Sequence, residues 1–192
     1  MVSLSYVLLV FVALAQAKKK IQAVSVLKQD MLRGLLGVKP GFRGEVADCG
    51  AVLYLMAPIT SNDDDTQRRE QDHQRNVAKG LRQLKKAVAR DDVVAFGKFP
   101  FAPNKIFMRT YTTAETFTDE WQGSIVFAKA PPPELRKRWT QRQTKLQFEK
   151  LKDDSVAGIA RYLNENCGTN IAKVGGKKIK ASRRSKSADD EL

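Results

Sequence analysis

Few residues in this chain can do covalent, metal or acid–base chemistry: Cys49, Cys167, a single histidine at His73, and the carboxylate run Asp63-Asp64-Asp65. A nucleophilic thiol needs a neighbouring base, and a zinc site needs about four N or S donors. One histidine and no paired thiolates supply neither. His73 stands beside Asp72 in a polar helical pattern and reads as solvated. Three consecutive acids cannot all point at one ion. Directly before a helical pattern they read as a helix start, where carboxylates complement the positive end of the dipole. No catalytic, cofactor or metal site is predicted, and no small-molecule substrate is evident.

Charge is the other source of chemistry. Lys+Arg number 34 against 21 Asp+Glu, a formal net charge of +13. Such a balance favours acidic partners such as nucleic acid, anionic lipid, sulfated sugar or an acidic protein. Trp139 with Arg136, Lys137, Arg138 and Arg142 is the one aromatic-plus-basic patch, and Lys177, Lys178, Lys180, Arg183 and Arg184 crowd the C-terminal stretch. These are the candidate contacts for a polyanion or a client polypeptide.

The elements that must position these groups centre on Cys49 to Pro58, a bulky run without polar alternation, bounded by Gly and Pro. That pattern predicts a strand buried on both faces, in a parallel or mixed sheet covered by helices, so the fold class is α/β. A polar turn, 59–62, leads from it into a helix over 66–89, where Val77, Leu81, Leu84 and Val88 form one apolar stripe. Around this core the pattern predicts a first strand over 23–27 and a short helix over 29–36. It also predicts strands over 93–99, 124–128 and 145–151. Pro100 and Pro103 frame a predicted loop; 105–111 fits either a strand or a short helix, and 134–144 fits a basic helix. Asp153 or Asp154 is expected to cap a last helix that Gly168 ends. Beyond 170, Lys and Arg among Gly, Ser and Ala predict a disordered basic tail, 171–192.

Both ends carry apparent addresses. Residues 1–17 hold no charged side chain, and Ala15-Gln16-Ala17 precedes Lys18-Lys19-Lys20, the pattern of a cleavable signal peptide. The apolar run is shorter than the roughly 20 residues a spanning helix needs. Asp189-Asp190-Glu191-Leu192 is similar to the KDEL class of retrieval signals, with Asp in place of Lys at its first position. Together they predict the endoplasmic reticulum lumen, with a retrieval receptor as partner; secretion is the alternative.

The order of predicted elements over about residues 21–170 resembles the thioredoxin fold with an extra N-terminal βα unit. Asp92-Val93-Val94-Ala95-Phe96-Gly97-Lys98 looks like the third strand of such domains. Phe148-Glu149-Lys150, with Ile159 to Glu165 and Cys167-Gly168-Thr169-Asn170, looks like the last strand and helix in the protein disulfide isomerase family. The domain is accordingly set at 18–170. Exchanging members carry W-C-x-x-C after the central strand, where a helix N-terminus lowers the thiol pKa. This chain has Ala57-Pro58-Ile59-Thr60-Ser61-Asn62 there, and Trp121-Gln122-Gly123 in place of the usual cis-proline loop. The resemblance implies a redox-inactive member. It also places Cys49 and Cys167 at the end of the sheet opposite the usual active site, where an oxidising lumen allows one disulfide; two unpaired thiols remain the alternative.

The leading expectation is a non-catalytic lumenal chaperone or escort that binds client polypeptides. Alternatives are a secreted or lumenal polyanion binder using Trp139 and the basic tail, or a basic accessory subunit of a membrane assembly with an uncleaved signal anchor.

Overall fold

In a computed structural model of the chain, residues 24–59, 62–88, 93–111, 118–136 and 146–179 are described. The apolar run after Cys49 is the middle strand of a five-stranded mixed sheet in an α/β fold. In chain order the elements are β1 (Ser25–Val26), α1 (Gln29–Leu35), β2 (Gly50–Met56), α2 (Asp64–Ala87), β3 (Val94–Pro100) and α3 (Phe101–Tyr111). A 3-10 turn (Asp119–Trp121) precedes β4 (Ile125–Lys129), followed by α4 (Pro133–Arg136), β5 (Gln147–Lys150) and α5 (Val156–Cys167). A small hairpin, β6 (Lys173–Val174) and β7 (Lys177–Lys178), closes the described chain.

The sheet order is β1-β3-β2-β4-β5. β1 and β2 each pair in parallel with β3, β4 is antiparallel to β2, and β5 is antiparallel to β4. Successive side chains of a strand point to opposite faces, and β2 shows why it had to be apolar throughout. Ala51, Leu53 and Leu55 enter one core with Leu32, Leu36, Phe99, Phe107 and Met108. Val52 and Tyr54 enter the other, with Leu81, Leu84, Ile159 and Leu163. The stripe expected on the long helix is the one that packs: Leu81, Leu84 and Val88 are buried and Val77 lies against them.

Several boundaries differ from expectation, each for a local reason. The prolines at 100 and 103 do not frame a loop: β3 runs into α3, which also decides the open reading of 105–111 in favour of helix. Proline fits the first turn of a helix because the N–H it lacks has no partner there anyway. The turn is locked by buried Asn104, whose Nδ2 donates to the Pro100 carbonyl at 2.6 Å while its Oδ1 accepts from Gln29 Nε2 at 2.8 Å. At the last helix the cap is neither Asp153 nor Asp154. Ser155 Oγ accepts from the Gly158 N–H at 3.0 Å, and Asp153 instead accepts from the Ser155 N–H at 3.1 Å and from Arg161 Nη2 at 2.6 Å. Gly168 ends that helix at φ 62°, as its position predicts.

The expected tail also starts too early. Ile171 and Val174 are buried in the core that Tyr54 shares, and Gly175 and Gly176, at φ 56° and 82°, turn the β6–β7 hairpin. Two adjacent glycines of positive φ are what a two-residue hairpin turn requires. The expected basic helix is described only as α4, and the rest of it, 137–144, lies outside the described residues, as do 1–23, 145 and 180–192. No helix among the described residues is long and apolar enough to cross a membrane.

Candidate functional site at the end of the central strand

β2 ends at Met56, and Ala57-Pro58-Ile59 leads toward α2, which begins at Asp64. Asp63 is the helix cap: its carboxylate accepts from the Thr66 N–H at 2.9 Å and from Thr66 Oγ1 at 2.6 Å. Those two hydrogen bonds from Thr66 hold the Asp63 carboxyl below its ordinary range. The three acids thus begin a helix as their position predicts, and no group of three His, Cys, Asp or Glu that could hold a metal occurs among the described residues.

The neighbouring loop is hooked onto the same corner. The Gly123 N–H donates to the Leu55 carbonyl at 2.8 Å, and the Leu55 N–H donates to Ser124 O at 2.9 Å. Trp121 is buried on the α1 and α3 side of the sheet, and Gly123 takes φ 78°. From the other side, Gln74 Nε2 donates to the Ala57 carbonyl at 3.3 Å, tying the strand exit to α2.

A groove of about 270 Å³ opens beside this corner. Its floor is Gly123 and Ile125; its walls are Val77, Gly80 and Leu81 of α2 and Val156 and Ile159 of α5, with His73, Asn76, Asp154 and Ser155 at the rim. The helices approach closely because residue 80 is glycine: a Cβ there would lie 2.8 Å from Val156 Cγ2. His73 is exposed, as expected, and stands at an end of the groove with its ring edge-on to Tyr54, centroids 6.2 Å apart. Burial and the negative charge of Glu70 raise the Tyr54 hydroxyl pKa, so the ring enters the core neutral. An apolar trough with a few polar groups at its rim suits an aliphatic or aromatic side chain of a partner.

Cys49 and Cys167 form a disulfide with Cα atoms 5.5 Å apart. They join the start of β2 to the end of α5, at the opposite end of the strand from Ala57. The corner therefore holds no cysteine, and among the described residues no cysteine is free. A second cavity, about 320 Å³, borders the disulfide between Phe127, Phe148 and Tyr162. There Tyr162 donates to Glu149 Oε2 at 2.7 Å, and burial followed by that hydrogen bond raises its pKa.

The basic candidates do not gather at one site. Arg136 is structural: its Nε donates to Pro131 O at 2.6 Å and its Nη2 to Asp48 O at 2.9 Å, bracing the loop before β2. Lys177 and Lys178 are exposed on β7. Lys137, Arg138, Trp139, Arg142, Lys180, Arg183, Arg184 and the terminal Asp189-Asp190-Glu191-Leu192 lie outside the described residues. The groove itself escapes the sequence reading. Its one local signal is Gly80, a glycine inside a strong helical pattern, which marks a close approach of another element. The chain matches no protein-family model, no curated protein and no solved structure.

Proposed function

We propose that this protein is a redox-inactive, thioredoxin-like chaperone or escort that holds extended segments of client polypeptides in the lumen of the endoplasmic reticulum. The strand order β1-β3-β2-β4-β5, with β4 alone reversed and a long helix starting directly after the middle strand, agrees with the order of a thioredoxin fold. The observation that carries the functional reading is the corner after β2. Where exchanging members of that family hold two thiols, Ala57, Pro58 and Ile59 stand beside an apolar groove, and both sulfurs are joined in one bond at the other end of the strand. Thiol exchange needs an accessible thiolate, which a helix N-terminus favours by lowering the thiol pKa. An apolar groove needs only a side chain to cover it. The uncharged leader with Ala15-Gln16-Ala17 and the C-terminal Asp-Asp-Glu-Leu support the lumenal part of the proposal, with a retrieval receptor as second partner.

One assay tests the catalytic and holding parts together. Insulin treated with dithiothreitol precipitates as its B chain is released; an oxidoreductase hastens the turbidity and a holding chaperone delays it. The protein is expected to delay it in proportion to its concentration. Acceleration at catalytic concentration sinks the redox-inactive reading, and an unchanged time course sinks the holding one. Localisation of the full chain beside a version lacking Asp189 to Leu192 tests the address: retention lost on truncation supports it, and identical distributions remove it.

A further inference from the structure

We infer that the second half of α2 and the β6–β7 hairpin form one preorganised cationic surface that binds a sulfated polysaccharide. Residues 73–88 and 168–179 contain no Asp or Glu. Lys79, Arg82 and Lys86 of α2 and Lys173, Lys177 and Lys178 of the hairpin are all exposed. None of the six makes an ion pair with a described residue.

Packing makes the two segments one surface. The turn glycine Gly175 lies against Gln83: a Cβ there would be 3.0 Å from Gln83 Oε1. Lys79 and Lys86 are i−4 and i+3 from Gln83, its neighbours on the helix surface, so the hairpin turn sits between them. Beneath it Val174 and Ile171 are buried in the core, and Asn164 of α5 clamps the approach, accepting from the Ile171 N–H at 2.8 Å and donating to its carbonyl at 3.1 Å. α5 adds no net charge of its own, with one carboxylate, Glu165, against one guanidinium, Arg161, which pairs with Asp153. An array of like charges opposes its own folding, and a polyanion that releases counterions on binding relieves that repulsion.

The residue types favour charge density over base reading. No large apolar side chain is exposed on either segment, so unpaired bases find no stacking platform. Five of the six cations are lysine, a point charge that does not need the fork geometry by which guanidinium selects phosphate. From Arg75 to Lys86 the helix extends about 16 Å, a linear track suited to a chain of sulfates. The choice of polysaccharide over duplex nucleic acid rests on the lumenal reading; the cationic surface itself does not.

The test is titration of the full-length protein with a heparin-derived decasaccharide at several salt concentrations around 0.15 M, where screening acts over about 8 Å. A hairpin variant (Lys173→Gln, Lys177→Gln, Lys178→Gln) and a helix variant (Lys79→Gln, Lys86→Gln) are each expected to bind at least about tenfold more weakly. Their log–log salt slopes should fall by about 3 and about 2, one per lysine removed, with thermal melts unchanged. A tail variant (Lys180→Gln, Arg183→Gln, Arg184→Gln, Lys186→Gln) is expected to keep most of the affinity. Wild-type affinity in either the hairpin or the helix variant overturns the composite surface, as does loss of binding confined to the tail variant. Equal or tighter binding of duplex DNA or poly-glutamate, matched for charge, overturns the assignment of partner. Failure of retention in cells would remove the lumenal reading while leaving the variants' effects intact.

Discussion

Cys49, the residue before the middle strand, and Cys167, the last residue of α5, are joined across a sequence separation of 118, their Cα atoms 5.5 Å apart. The bond closes a loop that contains β2, β3, β4 and β5, so it restricts the unfolded chain over most of the sheet. The chain-entropy argument makes such a long loop stabilising by about 2–5 kcal/mol. Reductant is therefore expected to lower the unfolding free energy of the wild type by about that amount, read as a lower denaturant midpoint. It should leave the midpoint of the Cys49→Ser, Cys167→Ser double variant unchanged. A wild-type midpoint insensitive to reductant would remove the bond from the stability of the fold.

Gly50 opens β2 opposite Lys129 of β4. A Cβ there would stand 2.3 Å from the Ala128 carbonyl oxygen and 2.6 Å from the Phe127 ring. The first obstacle is backbone inside a paired strand, which cannot swing aside as a side-chain tip can. Gly50→Ala is expected to cost about 3 kcal/mol, the upper part of the usual range for overpacking. The check is the midpoint of urea unfolding. Stability equal to wild type would mean that the two strands have room that their register does not show.

How far these features could be read in the residues depends on whether one residue type had one meaning. β2 was legible because an unbroken apolar run has few other uses, and α2 because four apolar residues at helical spacing fix both its existence and its buried face. Pro103 was not, since proline is equally at home in a turn and in the first turn of a helix, and only the Asn104 hydrogen bonds decide between them. Asp153, Asp154 and Ser155 are three acceptable caps in a row, and backbone geometry alone selects Ser155. The hairpin was hidden by composition: its strands are two residues each, and Lys-Val-Gly-Gly-Lys-Lys reads as low complexity although Gly-Gly is also a hairpin signal. The groove lies between residues about 45 and 80 apart in sequence, a distance over which periodicity carries no information.

Acid should loosen both helix starts on the groove side. Thr66 hydrogen bonds hold the Asp63 carboxyl below its ordinary value of 3.8. Ser155 hydrogen bonds, and then Arg161, do the same for Asp153, whose ordinary value is also 3.8. A carboxyl depressed in the folded state leaves the unfolded chain holding more protons in that window, so stability rises with pH there. Its contribution is fully present above the ordinary value and is lost as pH falls toward the depressed one. The unfolding midpoint should therefore drop between about pH 5 and about pH 3. Asp63→Asn with Asp153→Asn should flatten that slope. Asparagine is as good a cap as aspartate, so Asp63→Asn should change stability near neutral pH little. An identical pH slope in the double variant would show that other groups set the acid limit.

If the trough between α2 and α5 receives client side chains, filling it should abolish holding without loosening the fold. Asn76 is exposed at its rim, pointing to a place where bulk can be added without cutting into either core. Asn76→Trp is expected to lose most of the delay in insulin precipitation while melting within about a degree of wild type, since surface substitutions rarely exceed about 0.5 kcal/mol. Asn76→Ala, which leaves the trough open, should hold as wild type does. Gly80→Ala attacks the same trough from within, because its Cβ would meet Val156 Cγ2 at 2.8 Å and press the two helices apart. It should weaken holding and, despite alanine's higher helix propensity of about 1 kcal/mol, bring no gain in stability. Undiminished holding in Asn76→Trp would move the client contact away from this groove, and a stabilised Gly80→Ala would show that the helices are not in contact there.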